Sequence, residues 1–258
     1  MAYTDMGQGI PILFVHGFPL NRKIWVPQTE GLRENARILA PDLRSHGDSQ
    51  MISGPYSMEL FADDLNDLLD AVGVNQPIVL CGLSMGGYIA FAFYRKFAYR
   101  LIGLILISTR ATMDSPAGRA ARDQAISLAR EEGVVAIVET MLPRMFSPKN
   151  YESRPKLVRW TREIMGKNTS EGIIGDLFGL RDRPDSTSTL SQIRVPTLVV
   201  AGADDQIIPL NEAQKMTKII PGARLEVIPE SGHLPNLENH VAFNRVILDF
   251  LSHDLPRY

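Results

Sequence analysis

The sequence has little cysteine, little net charge and no long apolar run. One of its 258 residues is a cysteine, Cys81, so an intrachain disulfide is impossible, and its apolar neighbours predict a buried, unreactive thiol. The 27 basic and 29 acidic residues leave a net charge of −2, which provides no basic surface for nucleic acid or an anionic membrane. The longest apolar run, residues 101–107, is far shorter than the roughly 20 residues that span a bilayer.

Targeting signals, repeats and metal-ligand clusters are also missing. The first residues show no basic stretch followed by an apolar one, so we expect no signal peptide and a cytoplasmic protein. No group of Cys, His and carboxylate side chains has metal-ligand spacing, so we expect no metal and no other cofactor. The partner we expect is therefore a small molecule, with neither nucleic acid nor membrane.

What the sequence does contain is a regular alternation of short apolar runs and helical patterns. Each apolar run is followed by Gly, Pro, Ser or Asp, a pattern that is typical of strands buried on both faces of a parallel sheet. Helical spacing appears between them, for example in 61–72, where Ser57 is available as N-cap. This alternation predicts an α/β fold with a mostly parallel central sheet flanked by helices. The predicted strands are 12–15, 37–40, 78–81, 101–107, 197–201 and 224–228.

One long segment, residues 111–188, breaks the alternation. It contains helical patterns without a convincing strand, and we expect it to form a helical cap inserted before the strand at 197–201. The core would then consist of residues 1–110 and 189–258. The cap helices are predicted at 120–130, 134–141, 157–165 and 173–180, separated by Pro143, Pro148, Pro155 and Gly166.

The strongest chemical signal is the segment Gly-Leu-Ser-Met-Gly-Gly, residues 82–87. It lies between a predicted strand and a predicted helix, where a nucleophile on a tight turn needs small neighbours. The N–H groups at the start of that helix favour negative charge on a reacting oxygen. Ser84 is therefore the candidate nucleophile, and a chance Gly-x-Ser-x-Gly is made less probable by this context.

A serine hydroxyl needs a base to accept its proton, and five histidines compete for that role. His233 lies in the loop between the strand 224–228 and the last helix, at the carboxyl edge of the sheet where active sites gather. A carboxylate should orient the imidazole. Asp204 and Asp205 follow the strand 197–201 at the same edge, and the residues alone leave open which of them contacts the histidine.

The segment His-Gly-Phe-Pro, residues 16–19, follows the first apolar strand. The backbone N–H groups of Phe18 and Met85 are the candidate oxyanion hole, which would stabilise the negative oxygen of a tetrahedral intermediate. In isolation the tetrapeptide is also compatible with a simple turn.

Together these motifs resemble the α/β-hydrolase superfamily, and within it the carboxylesterase, 3-oxoadipate enol-lactonase and cofactor-free haloperoxidase-like group. The resemblance also rests on Asp-Leu-Arg-Ser-His-Gly-Asp-Ser at 42–49 and Arg-Asp-Arg-Pro-Asp-Ser at 181–186. It implies a triad in the chain order Ser84, Asp205, His233, because the family's acid is the third residue after Gly202 and Pro209 follows four positions later. The family sheet normally opens with two antiparallel strands, and few residues here precede Ile12.

The predicted activity is hydrolysis of a carboxylic ester through an acyl-enzyme. Lactone hydrolysis, perhydrolysis, carbon–carbon bond hydrolysis and a ligand sensor on the same fold remain alternatives, whereas Ser84 argues against dehalogenases and epoxide hydrolases, which use Asp. Three apolar cap residues are candidates for contact with substrate, although ordinary packing is the commoner role for each: Met141, Met145 and Phe146.

Overall fold

The computed structural model describes residues 1–256 and contains a seven-stranded sheet. Its spatial order is β1-β3-β2-β4-β5-β6-β7, and β1 runs antiparallel to β3 while all other neighbours are parallel. The α/β-hydrolase fold expected from the sequence is therefore the fold of this chain. The strands are β1 (Tyr3–Met6), β2 (Ile10–Val15), β3 (Ala36–Pro41), β4 (Ile78–Leu83), β5 (Leu101–Ile107), β6 (Thr197–Gly202) and β7 (Arg224–Ile228).

Helices cover both faces of this sheet. Alternate residues of β2 belong to two separate cores, Leu13 and Val15 to one and Ile12 and Phe14 to the other, because successive strand side chains point to opposite faces. The helices are α1 (Val26–Leu32), α2 (Met58–Ala71), α3 (Met85–Phe97), α4 (Pro116–Glu131), α5 (Gly133–Met145), α6 (Pro148–Ser153), α7 (Pro155–Met165), α8 (Ser170–Asp182), α9 (Thr187–Leu190), α10 (Leu210–Ile219), α11 (Pro235–Glu238) and α12 (His240–His253).

The strands and the helix that the sequence predicts in the core agree closely with the structure. Helix α2 begins after Ser57, whose Oγ accepts the N–H of Leu60 at 3.1 Å, and it ends just before Gly73, which adopts a φ of 70°. The short first strand β1 supplies one antiparallel strand where the family usually has two.

Helices α4 to α9 lie between β5 and β6, in the part of the chain for which the sequence predicts helices and no strand. One detail was wrong: Pro143 does not separate two helices, because α5 continues through it to Met145. Pro143 lies only two residues before the end of the helix. The N–H that proline lacks leaves one backbone carbonyl of the preceding turn without its partner, and the rest of the helix is unaffected. Helix α6 was not predicted.

The inserted segment begins and ends at the same place. The N–H of Ser186 donates to the carbonyl of Ala111 at 2.8 Å, and the N–H of Met113 donates to Asp185 at 3.2 Å. Beside them, Arg183 and Asp114 form a buried ion pair at 2.8 Å. We use the word cap for residues 111–188, whose two ends are joined by these contacts.

In residues 1–256, no helix combines the length and the apolar character that crossing a membrane requires.

Candidate active site

Ser84 occupies a tight turn between β4 and α3. Its backbone has a φ of 53°, a left-handed conformation that non-glycine residues rarely adopt and that is strained. The turn is held in place because the Ser84 N–H donates to the carbonyl of Ile107 at 2.8 Å. A Cβ on Gly86 would lie 2.3 Å from the carbonyl oxygen of Val15, so glycine is needed for this close approach.

His233 and Asp205 form a buried pair at the carboxyl ends of β7 and β6. The His233 Nδ1 lies 2.9 Å from Asp205 Oδ2, and their side chains are 2% and 1% exposed. The other oxygen, Asp205 Oδ1, accepts the N–H groups of Ile207 and Ile208 at 2.8 and 3.0 Å. One carboxylate therefore both orients the imidazole and fixes its own loop.

The charged form of Asp205 is favoured despite its burial. Burial alone would raise the pKa of Asp205, but the imidazole of His233 and the N–H donors of Ile207 and Ile208 outweigh it and lower this pKa. Asp204 is exposed, and its backbone N–H donates to the carbonyl of Ser231 at 2.8 Å. Of the two adjacent aspartates, Asp205 is thus the one that contacts the histidine.

The loop containing Phe18 lies directly against Ser84. A Cβ placed on Gly17 would be 3.1 Å from the Ser84 Cβ, which brings the predicted oxyanion loop beside the candidate nucleophile. Met85 is the first residue of α3, so its N–H has no partner within the helix. The sequence-predicted N–H donors, Phe18 and Met85, are therefore on adjacent segments next to Ser84.

A cavity of about 500 Å³ opens between the sheet edge and the cap. Ser84, His233 and Phe18 line its floor, and residues of three cap helices, including Leu128 of α4, Met141 of α5 and Leu177 of α8, line its roof and sides. This size suits a small organic molecule.

The three cap candidates have different positions. Met141 lines the cavity. Met145 and Phe146 are fully buried in the core on one face of the sheet and are not among the residues lining the cavity, so their side chains serve packing. Met145 and Phe146 face inward because they lie at the end of α5, where the chain turns into the core. This end lies next to the histidine loop, since the His233 N–H donates to the Met145 carbonyl at 3.0 Å.

Sequence reasoning missed Glu238, a buried carboxylate behind the histidine loop. Its Oε1 accepts the N–H of Gly232 at 2.7 Å, and its Oε2 accepts the N–H of Ser147 at 2.9 Å and the side-chain amide of Asn150 at 2.8 Å. Burial raises the pKa of Glu238, although these donors oppose the effect. Glu238 therefore ties the segment before His233 to the cap. An acidic residue five positions after a histidine gave no signal of this role.

A second buried contact joins the core to the cap. His46, in the loop after β3, forms an ion pair at 2.7 Å with Asp176 of α8, and both side chains are fully buried. The other ring nitrogen, Nδ1, lies 2.9 Å from the carbonyl of Arg44, so both nitrogens face acceptors. Burial alone would lower the pKa of His46, but the charge of Asp176 and these acceptors raise it. The ring of His16 is tilted by 56° to that of His46, with the ring centroids 5.0 Å apart, and its Nε2 accepts the N–H of Leu43 at 3.0 Å.

The fold, a serine on a strand-to-helix turn, and a histidine that lines the same cavity and contacts a buried aspartate are together typical of hydrolases. A model of the alpha/beta hydrolase family matches residues 12–246, and the chain belongs to that family.

Individual relatives are similar over nearly the whole chain. A thermophilic esterase from Thermogutta terrifontis, solved with malate bound, is 41% identical with a TM-score of 0.96, covering 99% of this chain and 94% of its own. The 3-oxoadipate enol-lactonase 2 of Acinetobacter baylyi is 29% identical over 96% of this chain and 91% of its own length. A non-heme chloroperoxidase of Kitasatospora aureofaciens is 30% identical over 97% and 95%.

Proposed function

We propose that this protein is a serine hydrolase that cleaves carboxylic esters through an acyl-enzyme. The observation that carries the proposal is the buried contact of 2.9 Å between His233 and Asp205 on the cavity that Ser84 also lines. A carboxylate that holds Nδ1 as the protonated nitrogen leaves Nε2 as the base. The esterase and enol-lactonase relatives support the same class of chemistry.

The proposed reaction follows from these roles. Ser84 attacks the ester carbonyl while His233 takes its proton, and the charge of Asp205 stabilises the imidazolium that forms. The N–H groups of Phe18 and Met85 donate to the oxyanion, and such a donor is typically worth about 2.7–4 kcal/mol in the transition state. His233 then protonates the leaving alcohol, and water repeats the two steps on the acyl-enzyme.

Lactones are a second substrate class for the same residues. A lactone is a cyclic ester, so the alcohol formed by ring opening stays attached to the acyl group, and the bonds broken are the same. The similarity to enol-lactonases favours this class specifically. We also propose a cytoplasmic location, to which the single buried thiol of Cys81 is suited.

The test combines turnover with covalent labelling. We expect Ser84→Ala to lower kcat for the hydrolysis of 4-nitrophenyl acetate by about 10⁶-fold, as loss of a triad nucleophile typically does. A fluorophosphonate should label Ser84 in the parent, as located by peptide mass spectrometry, and should not label Ser84→Ala.

The matched control is Ser231→Ala, a buried serine whose hydroxyl donates to the Pro229 carbonyl at 3.1 Å. This variant should keep the labelling of Ser84. If a folded Ser84→Ala protein kept activity within tenfold of the parent, Ser84 would not be the nucleophile.

A further inference from the structure

The cavity above Ser84 has an excess of positive charge. Three arginines line it, Arg110 after β5, Arg122 on α4 and Arg144 on α5, and of the residues lining it Asp114 is the one carboxylate. Arginine side chains present several N–H donors in a planar fork that matches a carboxylate. Three such groups around one cavity are therefore more than a neutral ester requires.

Asp114 offsets only one positive charge, and a fourth arginine, Arg183, shares its carboxylate with the cavity arginines. Arg183 contacts Asp114 Oδ1 at 2.8 Å, and both side chains are almost completely buried. Arg183 also donates to the carbonyls of Leu180 and Thr112, at 2.6 and 3.0 Å, and lies over the Tyr88 ring. This pairing belongs to the junction of the cap with the core, so Arg183 has a structural role.

The remaining contacts of Asp114 are with cavity arginines. Arg110 reaches Oδ1 at 2.5 Å and Arg122 reaches Oδ2 at 3.1 Å. Burial alone would raise the pKa of Asp114, but the guanidinium groups lower it to about 2, so it carries one full negative charge against three positive ones. The cluster has a surplus of two positive charges beside the cavity.

Donor groups also remain unused. Arg144, at the exposed rim, donates to a neutral group, the carbonyl of Gln206, at 3.2 Å. The other guanidinium N–H groups of Arg144 have no acceptor within residues 1–256, so an anionic ligand in the cavity can bind them.

The geometry points to a subsite for a carboxylate, formed by Arg110, Arg122 and Arg144, so that the substrate is an ester or lactone bearing a free carboxylate group. This inference rests on the proposed function for the reaction at Ser84. The carboxylate would bind at the arginines while the ester carbonyl reaches Ser84, and the arginines would act in binding and orientation.

Two pairs of isosteric substrates test the subsite. Monoethyl succinate and ethyl levulinate differ by a carboxylate in place of a methyl ketone on the acyl side, and acetoxyacetate and acetoxyacetone differ in the same way on the alcohol side. Hydrolysis is followed by alkali uptake at constant pH. We expect kcat/KM to favour the anion of at least one pair by about tenfold or more, and the preference to fall as salt is raised.

Arginine variants locate the effect. Arg122→Gln and Arg144→Gln should each lower the ratio of kcat/KM within the favoured pair by about 10-fold, mainly through KM, because a hydrogen bond to a charged group is worth about this factor. Arg122→Lys keeps the charge and should restore part of the ratio. Arg119→Gln is the matched control, an exposed arginine on the same helix outside the cavity lining, and should keep the parent ratio.

Binding to Ser84→Ala, measured by calorimetry with the same pairs, separates this inference from the proposed function. Tighter binding of the anion supports the subsite even if no ester is turned over. Equal binding of anion and isostere in both pairs overturns it, as does an anion preference that is unchanged in Arg122→Gln and Arg144→Gln. Lack of 4-nitrophenyl acetate hydrolysis, by contrast, would count against the proposed function alone.

Discussion

The buried contact between His46 and Asp176 predicts that the free energy of unfolding falls as pH rises above about 6.5. The pKa of His46 is raised in the folded protein, so above that pH the folded state keeps a proton that the unfolded chain releases. The stability from this proton is fully present below the unfolded pKa and is lost as pH rises through the folded one. Asp42 also raises the pKa of His46, whereas burial and then the neighbouring His46 lower that of His16, which stays neutral. Burial also raises the pKa of the partner Asp176, against the charge of His46, and this shift acts in the same direction because its proton too is lost as pH rises.

The magnitude follows from one proton. The free energy of unfolding should decrease by up to about 1.4 kcal/mol per pH unit between the two pKa values of His46. Asp176→Asn removes the charge but keeps the shape, and its amide N–H can donate to Nε2 of a neutral imidazole, so this slope should largely disappear. Asp176→Ala leaves a buried group without its partner and should cost about 3–5 kcal/mol near pH 6.

The assay is urea unfolding, followed by tryptophan fluorescence and circular dichroism, at several pH values from about 5.5 to 8.5. His253→Asn is the matched control, because His253 pairs with Asp249 at 3.1 Å but its side chain is 69% exposed. This variant should keep the parent slope. An Asp176→Asn protein with the same slope as the parent would refute the reasoning.

Three further predictions concern the site. Asp205→Asn should lower kcat on 4-nitrophenyl acetate by about 10⁴, with Asp204→Asn mild and both proteins folded, as judged by circular dichroism; the opposite ranking would transfer the role to Asp204. Met141→Ala should shift the acyl-length profile of ester hydrolysis, whereas Met145→Ala should instead lower the free energy of unfolding by about 2–5 kcal/mol in urea titrations; an unshifted profile in Met141→Ala would remove it from the site. Glu238→Ala leaves three buried donors without an acceptor and should cost about 3–5 kcal/mol in the same titrations, with a lower kcat; a stability within 1 kcal/mol of the parent would contradict this role.

Strands buried on both faces were the easiest elements to predict. The bounds of β5, which is buried on both faces, match the predicted run at both ends, because Arg100 precedes its apolar residues and Ser108 follows them. The edge strand β7 also has the predicted bounds, although its side chains are mostly half-buried or exposed. Strand β1 has mostly exposed side chains and little apolar pattern, so nothing in the sequence distinguished it from a loop. Helix α6 has six residues, starts at Pro148 and is too short to show a helical period in the sequence.

The site residues that directly follow a strand were predictable from the sequence. Ser84, Asp205 and His233 each follow a strand of the parallel sheet, and the structure brings all three segments to one edge. Which apolar cap residues face the cavity was not predictable, since Met141 and Met145 are equally apolar residues on one helix. Contacts such as His46–Asp176 depend on how the cap lies on the core. The sequence pattern does not show which cap residue contacts which core residue.

The joined ends of the cap give the chain a natural exchange point. The Ser186 N–H and the Ala111 carbonyl oxygen are only 2.8 Å apart. The residues between them therefore have only to leave the core and return to the same point. A segment of different length or shape, beginning and ending with the same contacts, would leave the register of β5 and β6 unchanged. Substrate range could then diversify by replacement of this one module, while Ser84 and the strand edges that carry the chemistry stay as they are.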